Sequence, residues 1–155
     1  MRAVLLLFVV ACTSAPPPRP SGSGRVITPI HRDETRYYAI WLGGARVGTA
    51  TETERWSTRG VSLLRTEVMS FLRGKAEVVM QTTIDIDADP QLVARRVGWT
   101  ETTGDAIHNA SATHDANGWQ APVVLDAAAI PAELVPLLVR RDGHFTGSVF
   151  MPARN

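Results

Sequence analysis

The sequence predicts a mainly β protein: a single antiparallel up-and-down meander, folded as a curved sheet or half-barrel, with a short C-terminal helical cap. Three observations predict it. Between Ala76 and Asp87, Ala76, Val78, Met80, Thr82, Ile84 and Ile86 share one face. Glu77, Gln81, Thr83, Asp85 and Asp87 share the other, and Val79 is the one exception. Period two of that quality marks an antiparallel strand with one face buried. Two-residue turn signals then recur at strand-length intervals: Gly43-Gly44, Arg59-Gly60, Gly74-Lys75, Gly104-Asp105 and Asn117-Gly118. Finally, the period changes after Ala127, where Leu134, Leu137 and Leu138 fall at helical spacing.

The chain opens with a leader. Arg2 is its charged end, and Ala3 to Ala11 contains no polar side chain. A membrane-spanning helix needs about 20 apolar residues. The run fits the apolar core of a secretory signal, residues 1–11. Val9-Val10-Ala11-Cys12 resembles the lipobox of bacterial lipoproteins. The resemblance implies cleavage before Cys12, a diacylglycerol on its thiol and a palmitate-type acyl group on the new amino terminus. Several acyl chains make a stable anchor where one binds only marginally. Thr13 stands where an aspartate would signal inner-membrane retention in that family. The implied location is therefore the cell envelope, as an outer-membrane lipoprotein facing the periplasm. About 144 of the 155 residues would remain, enough for one domain.

Thr13 to Gly24, "TSAPPPRPSGSG", reads as a tether, and residues 12–34 form the lipidated cysteine and its linker. Val26 to Glu34 is ambiguous between tether and a short edge strand. The β domain is expected over 35–155. Arg36–Leu42 is rich in aromatic and β-branched residues. Ala45–Trp56 returns, with Thr49, Thr51 and Thr53 on one face. Val61–Arg73 and Ala76–Asp87 form a long pair. Asp89-Pro90-Gln91 turns into Leu92–Thr102, followed by Ala106–His114 and Trp119–Leu125, making about seven strands. In "AAAIPAELVPLLVRR", Pro131 suits a first helical turn and Pro136 would break or kink a longer helix. One or two short turns are expected there, then a final strand, His144–Met151. Two readings stay open at "FMPARN": the chain ends there, or it is the front part of something longer.

Composition excludes several functions. The formal charge of +1 carries no footprint for nucleic acid. Arg36, Arg46, Arg55, Arg59, Arg65, Arg73, Arg95 and Arg96 are scattered among acids and read as residues of a solvated sheet face. No cysteine follows Cys12, so the domain has no internal disulfide, thiolate metal site or cysteine nucleophile. "GGARVG" lacks the Lys-Ser/Thr ending of a phosphate loop, and Gly48 reads as a close approach of two backbones. A calcium loop starting at Asp85 would want glycine and glutamate where Pro90 and Arg96 stand. Asp85 and Asp87 read as the wet face of the strand, and Asp89 as the start of a turn. His108 and His114 lie about 20 Å apart along an extended strand, whereas each zinc ligand sits about 2 Å from the metal. No metal, cofactor or catalytic residue is expected. Tyr37, Trp41, Trp56, Trp99 and Trp119 would line an apolar groove for an acyl chain or peptide if Tyr37 and Trp41 faced the hollow of the sheet. Ordinary core is the favoured alternative.

"YYAIWLGGARVGTATETERW" and "LLRTEVMSFLRGKAEVVMQTTIDIDADPQ" together resemble the opening β-module of exported bacterial proteins that carry a transglutaminase-like (papain-type) domain. "IPAELVPLLVRR" fits the late helical piece of that module. The chain lacks the cysteine such a catalytic domain needs, so the resemblance implies an accessory part without the catalytic domain. The architecture is also similar to that of periplasmic lipoprotein-trafficking proteins. The sequence therefore points first to a lipid-anchored, non-enzymatic binding or accessory module. Its expected partners are the membrane and a periplasmic protein, peptidoglycan or lipid ligand. The alternative is the N-terminal accessory part of a transglutaminase-like enzyme.

Overall fold

The computed structural model describes residues 31–123 and 125–151. Cys12, the signal and most of the expected tether lie outside the described residues. Seven antiparallel strands follow one another in both sequence and space: β1 Glu34–Leu42, β2 Ala45–Ser57, β3 Gly60–Arg73, β4 Ala76–Ala88, β5 Ala94–Thr103, β6 Ala106–Asp115 and β7 Gly118–Gln120. The sheet stays open, with β1 and β7 at its edges. This is the meander expected from the turn spacing.

Local chemistry explains the turns. Gly43 and Gly44 both have positive φ, as a tight hairpin requires. Gly48 plays a different part: a Cβ there would collide with the Val68 backbone carbonyl. It lets β2 and β3 approach, as the sequence suggests. At the β4–β5 corner, Asp89 Oδ1 accepts N–H bonds from Gln91 and Val93, both at 2.9 Å. That carboxylate holds Leu92 at φ 64, a costly conformation for a branched side chain. The burial of Leu92, 4% exposed, offsets the cost.

The core lies on one face of β3–β5. Leu63, Ile86 and Val97 are directly opposite one another across the three strands and at most 1% exposed. Full burial of such side chains stabilises by about 1.5–3 kcal/mol each. Over them lies the C-terminal segment: β8 Ile130–Pro131, a 3₁₀ turn Ala132–Leu134, helix α1 Val135–Asp142 and β9 Val149–Phe150. Leu134, Leu137 and Phe150 complete the core.

The segment has the short helical turns expected and differs in the place of Pro131 and in the final strand. Pro131 precedes the 3₁₀ turn as an extended residue, and Pro136 sits in the first turn of α1, where its missing N–H has no partner to lose. As the two prolines suggest, one longer helix is thus replaced by a three-residue turn and an eight-residue helix. Gly143, left-handed at φ 80, ends it with an N–H bond to Val139 O, and Arg140 and Arg141 complement the helix's negative end. Instead of a strand over His144–Met151, only Val149–Phe150 is extended, and it pairs in parallel with β8 outside the main sheet. Likewise β7 stops at Gln120 rather than Leu125, and β5 begins at Ala94 rather than Leu92.

Residues 31–34, ambiguous in sequence between tether and edge strand, lead into β1 and touch β2. Asp33 accepts the Trp56 backbone N–H at 2.8 Å and pairs with Arg55 at 3.2 Å. The His31 ring stacks on Trp56 with centroids 4.0 Å apart.

Candidate functional site

The core face changes character along the strands. Past Leu63 and Ile86 the next cross-strand row holds Arg36, Glu52, Arg65 and Ile84, and the row after it Tyr38, Ala50, Glu67, Thr82, Glu101 and His108. Met69 and Met80 follow. An apolar floor thus gives way to a charged band, and residues of the C-terminal segment lie beside that boundary.

Two glutamates of β2 face inward. Glu52 is 3% exposed and Glu54 is fully buried. Buried carboxylates require partners, and arginines from three elements supply them. Arg36 of β1 donates to Glu52 at 2.9 Å and also meets Glu54. Arg140 of α1 reaches both oxygens of Glu54 at 3.3 Å, and Trp56 Nε1 donates to the same carboxylate at 3.3 Å. Arg65 of β3 spans Glu52 at 3.3 Å and Glu67 at 2.7 Å, with its guanidinium 5.7 Å from the Tyr38 ring centroid. Burial disfavours the charged form of Arg65, but Glu67, through its charge and hydrogen bond, then Glu52 and Glu133, outweigh it and hold the group more firmly protonated. The same balance, led by burial and reversed mainly by Glu52, applies to Arg36.

Arg36 and Arg65 therefore do not belong to a solvated face, as their scatter in sequence suggests. Their side chains are 21% and 28% exposed and serve buried acids. Arg96 does fit that reading: on the outer face it binds Asp87 at 3.0 Å and meets Asp85. Sequence reasoning misses the inward acids because Thr49, Thr51 and Thr53 and Ala50, Glu52 and Glu54 alternate with equal regularity. The available signal is Ala50 and Trp56 sharing the parity of the two glutamates.

Beside this network lies a cavity of about 250 Å³. Glu52, Arg65, Glu67, Glu101, Met69 and Met80 line it from the sheet, and Ala132, Glu133, Pro136 and Met151 from the C-terminal segment. Glu133 is only 9% exposed, and among the described residues its Oε2 has no hydrogen-bond partner. Burial pushes its carboxyl above the usual carboxylate range. Its own backbone N–H and Arg65 oppose the shift, and Glu67 and Glu52 reinforce it.

The five aromatic residues do not form one groove. Tyr37 is 80% exposed, opposite Thr51 on the outer face. Trp41 is 64% exposed, just past a register shift after Ile40. Trp56, Trp99 and Trp119 pack separately against the core margin. Trp119 donates to Ala129 O at 2.8 Å and meets Phe150 edge-on, securing the C-terminal segment. Trp99 lines a separate apolar cavity of about 160 Å³. No group of three His, Cys, Asp or Glu side chains among the described residues is placed to hold a metal ion. No described helix is long and apolar enough to cross a membrane.

Comparison with known protein families, with curated proteins and with solved structures finds no match.

Proposed function

We propose that the chain is a lipid-anchored envelope protein whose β domain is a non-catalytic binding or accessory module. The anchor rests on the Val9-Val10-Ala11-Cys12 lipobox-like run, with the Pro/Ser/Gly-rich stretch after it. The observation that carries the binding role is the cavity at the edge of the charged band, bounded by both the sheet and the C-terminal segment. Glu52 and Glu67, which line it, are engaged by arginines, and the chain offers no cysteine nucleophile beyond Cys12. That chemistry favours recognition over bond making. The transglutaminase-like alternative rests on sequence pattern alone.

Substitution Cys12→Ser tests the anchor. The protein is expected to move from the membrane to the soluble fraction; unchanged fractionation overturns the lipoprotein reading. Affinity capture with the mature protein from envelope extracts tests the binding role. Recovery of a component that a variant with a filled cavity fails to retain supports it, and identical recovery by both overturns the assignment of the cavity.

A further inference from the structure

We propose that the cavity beneath Glu133 binds a primary ammonium group on an unbranched aliphatic stem, of the kind a lysine side chain presents. This inference rests on the binding-module reading and names its ligand chemistry.

The charge balance selects a cation. Four carboxylates, from Glu52, Glu67, Glu101 and Glu133, line the cavity; Arg65 spans Glu52 and Glu67 and Arg36 also holds Glu52, so among the described residues Glu101 and Glu133 are the two without an arginine. An anion would meet repulsion there. Glu133 offers an acceptor without a donor: Oε2 is buried and unpartnered among the described residues, and the side chain lines the cavity. A buried, unsatisfied oxygen costs about 1–3 kcal/mol, which a donor would recover once the side chain turns that oxygen into the cavity.

Geometry narrows the class. Among the described residues no three acidic or histidine groups converge as metal ligands, so the negative charge is spread around the space rather than focused on one point. That arrangement suits an organic cation. A guanidinium favours a two-pronged carboxylate, whereas a single free oxygen suits the compact ammonium. Met69, Met80 and Pro136 supply apolar wall for a methylene stem, and methionine adapts to such a shape. A volume of about 250 Å³ has room for a four-carbon stem and its ammonium.

The elevated carboxyl of Glu133 gives the site a pH signature. The groups facing it are Arg65 and Glu67 from β3, Glu52 from β2 and Glu101 from β5. An alkylammonium stays charged to about pH 10. Affinity is therefore expected to rise with pH as Glu133 ionises.

The test is a titration of the full-length chain, followed by the methionine methyl resonances of Met69 and Met80. The probes are Nα-acetyl-lysine methylamide, its uncharged counterpart Nα-acetyl-norleucine methylamide, and butylamine. The lysine probe should bind at least about tenfold more tightly than the norleucine probe, the worth of one charge-assisted hydrogen bond. Glu133→Gln should remove that preference. Met80→Lys, which places an ammonium in the cavity without deleting an acid, should abolish binding of the lysine probe. A stronger response to capped lysine assigns the source to a peptide, and a stronger response to butylamine to a free amine; both support the ammonium site. Equal binding of the lysine and norleucine probes, no response to either amine, or full binding by folded Met80→Lys overturns the inference. Those results leave the anchor untouched, because membrane fractionation of Cys12→Ser decides it separately.

Discussion

Replacing Glu54 by glutamine keeps the side chain's shape and removes its charge. The wild-type carboxylate is fully buried and meets Arg36, Arg140 and Trp56 Nε1. Deleting one partner of a buried ion pair costs about 3–5 kcal/mol, because the other charge is left without compensation. An exposed pair is worth about 0–1 kcal/mol. Arg140 is 47% exposed and can turn to water, so Arg140→Ala should cost about 0.5–1 kcal/mol. Arg36 is 21% exposed and, among the described residues, retains Glu52 and Glu34. Glu54→Gln should therefore cost about 3 kcal/mol, near the lower end of the buried-pair range. The double variant Arg36→Met, Glu54→Leu removes both charges and restores apolar packing, and should recover at least about 1 kcal/mol of the single variant's loss. Urea unfolding followed by circular dichroism measures this. With m of about 1–3 kcal/mol/M, a loss of about 3 kcal/mol moves the midpoint by about 1–3 M at unchanged m. A loss below about 1 kcal/mol for Glu54→Gln, or a double variant no more stable than the single one, would refute the claim that this carboxylate compensates Arg36.

Leu63 and Leu64 are neighbours on opposite faces, 0% and 45% exposed. Leu63→Ala should cost about 2–5 kcal/mol and Leu64→Ala within about 0.5 kcal/mol by the same unfolding assay; similar losses would mean the core face is misassigned. Gly48→Ala forces a methyl group into the Val68 carbonyl, whereas at Gly43 a Cβ meets nothing within 4 Å and only its positive φ resists. The first variant should lower the melting temperature more than the second, whose cost is about 1–2 kcal/mol; the reverse order would contradict the close β2–β3 approach. For Glu133, the fold raises the carboxyl above its unfolded value, so the native state holds the proton better. Its ionisation therefore erodes stability as pH climbs from about 4.3 until the folded carboxyl has also lost its proton. Glu133→Gln should gain on wild type progressively with pH and exceed it at pH 7 in melting experiments, and a difference growing toward acid would show the opposite shift.

Much of this fold is local, and so it is legible in the order of the residues. The hairpins at Gly43-Gly44 and Gly74-Lys75 and the alternation of Ala76–Asp87 depend on residues within one or two strands. A one-residue slip would turn a whole strand over, which makes such patterns informative. Other features depend on what lies across the sheet. Thr51 and Glu52 are equally plausible inward residues until register places Arg36 and Arg65 opposite Glu52. Glu54 is met by Arg36 from β1 and by an arginine 86 positions later, on α1, two contacts that only the fold assembles. The C-terminal segment shows the same limit. Its leucine spacing announces a helix, but the parallel pairing of Ile130 with Val149 is a contact between segments that no local period encodes. Sequence alone determined the hairpins and the long strands, because period-two patterning and glycine conformations act over a few residues. Tertiary structure alone decided which charges went inside and where the cavity lies, because a buried ion is tolerable only where distant parts of the chain bring its counter-ion.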